Sequence, residues 1–179
     1  SSVTKCYHVV GYWTERKDRK GAVLIGKSCI DRSINQNYDV TVLDIIRDQK
    51  HIANNIRQTI LKENDILFVD NSHRILPNSD AMVFFMEILP RLKKGVIVHI
   101  HDIYLPYDYP QFMCDRFYTE QYGLAMYVMA NPKRYKTIFP CYFVSEDEEL
   151  AKQLEPIWNH DNLKEVERHG GSYWLQIGE

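Results

Sequence analysis

Residues 65–73 read D-I-L-F-V-D-N-S-H, and residues 95–110 read G-V-I-V-H-I-H-D-I-Y-L-P-Y-D-Y-P. Each opens with a short apolar run and closes on acid and imidazole. The first closes on Asp70 and His73, the second on His99, His101 and Asp102. Short apolar runs bounded by polar punctuation are the pattern of strands buried on both faces of a parallel sheet. Between them, Pro77-Asn78-Ser79-Asp80 has the short capping side chains and first-turn acid of a helix start. The helix is expected over Ala81 to about Leu92, with Pro90 bending or ending it and Gly95 as its stop signal. Strand, helix and strand in about 35 residues make a βαβ unit, so Ile66 to Asp70 and Val96 to Ile100 are expected to be parallel.

The flanking chain extends this pattern. Cys6 to Trp13, Gly21 to Ile30 and Tyr38 to Ile46 are rich in β-branched and aromatic residues and read as strands. His51 to Leu61 carries Ile52, Ile56, Ile60 and Leu61 at helical spacing. Downstream, Tyr104 to Pro110 reads as a loop beside the acid–imidazole cluster. Phe112 to Met129 reads as a long amphipathic helix and Ile138 to Val144 as a sixth strand. Ser145-Glu146-Asp147-Glu148 reads as a capping box opening a helix that ends near Pro156, and Gly171 to Ile177 as a last strand. Strands alternating mostly with helices give an α/β fold with a largely parallel sheet, read as a single domain over residues 1–179.

Composition narrows the function classes. Hydrophobic residues at 45% and charged residues at 26% are ordinary for a soluble globular chain. A formal charge of −2 and a pI near 6.4 give no general electrostatic case for nucleic acid or membrane partners. Cys6, Cys29, Cys114 and Cys141 form no C-x-x-C pair and no dense framework, which argues against a zinc finger or disulfide scaffold and for reduced thiols in the cytoplasm. No apolar run is long enough to span a bilayer, and no signal-peptide core is legible. The Ser1-Ser2 start leads to the expectation of a chain trimmed at its N-terminus.

The chemistry gathers at the strand ends, where open α/β sheets place their ligands. Asp70 and His73 fit in one turn, and His99 and His101 share a strand face next to Asp102. Carboxylates alone favour Mg²⁺ or Ca²⁺, and added imidazole shifts the preference toward Mn²⁺, Fe²⁺ or Zn²⁺, so Asp70, His101 and Asp102 are candidate ligands of a divalent cation. His73 is a candidate base for removing a hydroxyl proton. The competing reading of His99 is a hydrogen-bonded core histidine, that of Asp70 a helix cap, and that of Tyr118, Tyr122 and Tyr127 a core stripe at helical spacing.

The D-I-L-F-V-D-N-S-H-R stretch, the segment from Ser79 to Pro110, T-E-Q-Y at residues 119–122 and G-G-S-Y-W at residues 170–174 together resemble bacterial class I S-adenosylmethionine-dependent methyltransferases. The resemblance covers roughly Asp65 to Ile177. It implies a Rossmann-like, mostly parallel seven-stranded sheet with helices on both faces and the last strand antiparallel. Sugar and macrolide O-methyltransferases of similar layout hold Mg²⁺ through acids at the two strand ends and use a histidine after the first acid as base, which here would be His73. Their second acid is often preceded by another acid, where this chain has His101. The acceptor, a small molecule or sugar, would be shaped by Tyr104, Tyr107, Glu120 and Tyr122.

The front of the chain departs from that family. The expected glycine-rich loop, E-x-G-x-G-x-G, is absent, and Gly11 is the one glycine after Val9-Val10. Two alignments stand. In the preferred one, Cys6 to Trp13 is the first strand and Asp31, after the second, meets the cosubstrate ribose. In the other, Ala22 to Gly26 is the first strand and Asp44 is the ribose acid. The leading reading is an O-methyltransferase using S-adenosylmethionine, with or without Mg or Mn. Its rivals are a non-catalytic module of the same fold, with an apolar homodimer face where the ligand once sat, and a metal-dependent hydrolase using Asp70, His73, His101 and Asp102.

Overall fold

The computed structural model describes residues 6–10, 40–44, 61–77 and 79–179, the first two segments as backbone. Six described strands form one sheet: β1 (Cys6–Val10), β2 (Val40–Asp44), β3 (Ile66–Asp70), β4 (Ile97–His101), β5 (Tyr135–Pro140) and β6 (Ser172–Ile177), in the order β2-β1-β3-β4-β6-β5. The pairs β1/β2, β1/β3 and β3/β4 are parallel, whereas β6 is antiparallel to both β4 and β5. Among the described strands the last is thus the single reversed one, as the resemblance implies. The expected strand over Gly21 to Ile30, the residues Gly11 and Asp31, and all but the last residue of the helix expected over His51 to Leu61 lie outside the described residues.

The topology fixes where a ligand can sit. From β1 the chain goes to β2 on one side, then crosses to β3 on the other. The strand order therefore reverses between β1 and β3, and the crevice at such a switch point is where open α/β sheets bind ligands. Val10 at the end of β1 is in register with Asp44 on one side and Asp70 on the other. Two acids consequently end strands that flank β1 at the carboxyl edge of the sheet.

The βαβ unit forms as its sequence dictates. In β3, Leu67 and Val69 are buried and alternate with partly exposed neighbours; in β4, Val98, His99 and Ile100 are all buried. The connecting helical segment has about the expected extent, but only its first turn, α1, is α-helical. One α-turn, Asp80–Val83, is capped by Ser79, whose hydroxyl accepts from Met82 N. A wider π-turn over Phe84–Ile88 and a 3₁₀ turn over Leu89–Arg91 follow. The π-turn lets Phe84, Phe85 and Ile88 all face the core, with the two phenylalanine rings edge to face at 4.9 Å. The 3₁₀ turn holds Pro90, which lacks the donor an α-helix needs. Leu92 is already extended, so the helix ends before Gly95.

Three further readings are corrected. Phe112 to Met129 is two helices, α2 (Gln111–Cys114) and α3 (Glu120–Ala130), parted at Phe117 with φ +59°. The strand expected over Ile138 to Val144 lies earlier, because helix α4 (Cys141–Glu146) begins straight after Pro140. A short apolar run such as C-Y-F-V cannot be assigned to strand or helix by periodicity. The cap of the next helix, α5 (Glu148–Gln153), is Asp147, which accepts from the amides of Glu149 and Leu150. Ser145 instead donates to Cys141 O and accepts from Gly170 N. A further helical turn, α6 (Glu155–Trp158), has Pro156 near its start, and a 3₁₀ turn over Asp161–Leu163 follows. No described helix is long and apolar enough to cross a membrane.

Gly95 ties the two ends of this core. It has φ +87°, donates to Ile177 O at 2.8 Å and accepts from Asn64 N at 2.9 Å, and a side chain there would collide with Glu63. Gly95→Ala should therefore cost about 1–2 kcal/mol, seen as a lower urea midpoint with an unchanged m-value.

Candidate functional site

The site begins with the turn after β3. Asn71 Oδ1 accepts from His73 N at 2.7 Å, an Asx turn that holds His73 at φ +58°, a left-handed conformation uncommon for a residue with a side chain. Ser72 is pinned in turn: its amide and hydroxyl both donate to the buried carboxylate of Asp80 at the start of α1. His73 O then accepts from the amides of Thr119, at 2.8 Å, and Glu120, at 3.3 Å, while Thr119 Oγ1 accepts from Ile75 N. The start of α3 is thus bolted to the turn through its backbone, which explains why α2 and α3 cannot be one helix.

Side chains complete the connection. His73 Nδ1 is hydrogen-bonded to Glu120 Oε1, and His73 Nε2 lies 3.4 Å from both Asp70 Oδ1 and Asp102 Oδ2. Tyr118 stacks on the imidazole at 4.5 Å. Asp102 follows β4 and, like His73, has a left-handed backbone, φ +56°. Two non-glycine residues held in that region on facing turns mark a constrained site. Glu120 is 1% exposed, whereas the side chains of Asp70 and Asp102 are 45% and 21% exposed. The imidazole is therefore clamped from beneath by a sealed acid and opens toward two acids that reach solvent.

These surroundings set the charge state. Burial lowers the His73 pKa, but hydrogen bonds to Asp70 and Glu120 and the Glu120 charge outweigh it and raise it to about 10. Burial raises the Glu120 carboxyl to about 7, against the opposing pull of the His73 hydrogen bond and charge. Between about pH 7 and about pH 10 the pair is an imidazolium held by a carboxylate.

Of the residues read from the sequence, Asp70, His73 and Asp102 come together as expected. His101 ends β4 at the rim, its Nε2 3.5 Å from Asp102 Oδ1. His99 lies in the core, stacked on Phe68 at 4.2 Å and edge-on to Trp174 at 4.6 Å. Glu120, expected at an acceptor pocket, is sealed beneath His73 and cannot touch a ligand. Tyr104 is buried; Tyr107 and Tyr122 are exposed. The sequence also points to Asp70, His101 and Asp102 as cation ligands. Among the described residues, no group of three or more His, Cys, Asp or Glu side chains is arranged to hold a metal ion. The reason is visible in the geometry, since both carboxylates converge on His73 Nε2. Arranged in this way, the described residues do not fit a metal centre.

Two residues escaped the sequence reading. Asn71 holds the His73 turn. Gln121 holds the tyrosine loop against α3: its Oε1 accepts from Tyr104 N at 3.0 Å, its Nε2 donates to Tyr107 O at 3.4 Å, and its amide donates to Tyr109 Oη at 3.1 Å. Tyr122 Oη adds a bond to Asp108 Oδ1 at 2.6 Å. The D-N-S-H spacing could have exposed Asn71 as an Asx turn. Gln121 carries no local signal.

No family model and no curated protein matches the chain. Among solved structures, a protein from Thermobifida fusca YX described as a "putative methyltransferase" superposes with a TM-score of 0.42 and 13% sequence identity, over 98% of this chain and 74% of that one. The site is read from its own residues.

The raised pKa values fix the sign of a pH effect. The folded state holds both protons more tightly than the unfolded chain, so both contributions fall as pH rises. The His73 share is complete below 6.5 and is lost as pH rises through about 10; the Glu120 share falls between 4.5 and about 7. Melting temperature should decline from neutral pH to above pH 10, and His73→Gln should flatten that decline. Removing the buried partner, in Glu120→Ala, should cost about 3–5 kcal/mol in urea unfolding at neutral pH.

Proposed function

We propose that this chain is an S-adenosylmethionine-dependent methyltransferase acting on a hydroxyl of a small molecule or sugar. The observation that carries the reading is the sheet: the strand order reverses between β1 and β3, one strand, β6, runs against the rest, and acids stand at the carboxyl ends of β2 and β3 and just past β4. Asp44 supports a nucleoside-type cosubstrate. It ends the strand beside β1, the place from which an acid meets ribose hydroxyls in dinucleotide-binding sheets. This combines the two alignments open in the sequence: β1 falls where the first puts it, and the ribose acid is that of the second.

When bound, S-adenosylmethionine supplies an electrophilic methyl group. The work left to the chain is to place the acceptor hydroxyl and manage its proton. Asp70 and Asp102 present partly exposed carboxylates on either side of His73 Nε2, so a hydroxyl entering their gap meets acceptors for its proton and is oriented by them. Tyr107 and Tyr122, exposed at the rim, offer ring faces to the body of the acceptor. His73 takes up the hydroxyl proton only after giving up its own. That requirement places the alkaline rise of kcat/KM toward pH 10 and not near the ordinary histidine value.

Titration calorimetry with S-adenosylmethionine tests the reading directly. Binding is expected, weakened at least tenfold in Asp44→Ala; no heat across the millimolar range would sink the proposal. With an accepted substrate, His73→Gln should lower kcat about 10²–10⁴-fold and abolish the inflection near pH 10.

A further inference from the structure

We propose that Glu120 is a positioning residue, which fixes the His73 ring so that Nε2, and not Nδ1, faces the gap between Asp70 and Asp102. The inference rests on the reading of that gap as the acceptor site. An imidazole can present either nitrogen to a ligand, and which one it presents is set by the bond the other makes. Here that bond is to an acid that nothing in solution can reach. Glu120 is 1% exposed, although it stands in the first turn of a helix, where acids are usually solvated. Burying a carboxylate is unfavourable unless it is paired, so Nδ1 and Glu120 hold each other.

Three other contacts make the arrangement a single unit. The Glu120 amide and the Thr119 amide both donate to His73 O, so backbone and side chain of the helix start grip the same residue. Asn71 holds the His73 amide through Oδ1. Its buried Nδ2 and the buried Oε2 of Glu120 each have no hydrogen-bond partner among the described residues, and the nearby Asn71 side chain favours the charged form of the Glu120 carboxyl. Tyr118 covers one face of the ring and prevents it from swinging outward. None of these groups needs to touch an acceptor. Their effect is to deliver Nε2 alone to the two exposed acids.

The test is nuclear magnetic resonance on protein carrying ¹⁵N-labelled histidine, at one fixed neutral pH, with His73→Gln used to assign the ring signals. The wild type should show a far-downfield Nδ1 proton hydrogen-bonded to a carboxylate. Its absence from the wild-type spectrum overturns the proposal without any variant having to fold. In Glu120→Gln, which keeps the side-chain shape, that proton should move upfield or vanish. The kcat for methyl transfer should fall at least tenfold while the dissociation constant for S-adenosylmethionine stays within twofold. An unchanged Nδ1 signal together with unchanged kcat in Glu120→Gln also overturns the proposal. If S-adenosylmethionine does not bind the wild type but the downfield proton is present and depends on Glu120, the methyltransferase reading fails and the positioning of His73 stands.

Discussion

The His73–Glu120 contact is the constraint around which this site is built. A sealed carboxylate must have a partner, and an imidazole pressed under Tyr118 must have an anchor. Satisfying both requires the start of α3 to meet the turn after β3, although the two residues are 47 positions apart in the chain. The chain is bent to make that meeting happen. It leaves α2 at a left-handed Phe117, starts α3 two backbone hydrogen bonds from His73, and holds His73 itself left-handed on the Asn71 side chain. Irregularities that look unrelated along the sequence share this one cause.

The sheet supplies what the pair cannot, which is position relative to a ligand. Parallel strands β1 to β4 end at one edge, and the reversal of order between β1 and β3 opens a crevice there. Asp70 stands on that crevice at the end of β3, and Asp102 leaves β4 beside it. The reversed strand β6 packs on the far side of β4, and Gly95 lets the turn before β4 close on the end of β6 at hydrogen-bond distance. Gln121, one residue beyond Glu120, fastens the tyrosine loop to the same helix start. One turn of α3 thus fixes the imidazole below and the aromatic wall beside it.

Much of this was legible from residues 65–110 alone. Short apolar runs closed by acid and imidazole announced β3 and β4, and adjacency of those strands was enough to bring Asp70, His73 and Asp102 together. Helix and strand limits fared worse where tertiary contacts override local preference. Nothing near Phe117 signals a break, because its cause lies at His73; C-Y-F-V at residues 141–144 suits strand and helix equally. The burial of Glu120 was illegible for the same reason, since an acid at a helix start looks solvated until its long-range partner is known. Asp44 was readable as an acid closing an apolar run, but its place beside β1 follows from pairing across the sheet.

The difference between the cation expected from the sequence and the arrangement found is electrostatic. Three carboxylates, Asp70, Asp102 and Glu120, surround one small volume, and their mutual repulsion demands a positive charge among them. A divalent ion is one answer and requires the acids to converge on open space. Here they converge on a ring nitrogen, and an imidazolium with a pKa near 10 supplies the charge. Once ionised, the sealed acid satisfies one side of that charge. The two acids that reach solvent share the other side at 3.4 Å each, longer than a strong charge-assisted hydrogen bond. They are held near the imidazolium without being consumed by it, which leaves both carboxylates partly open to solvent.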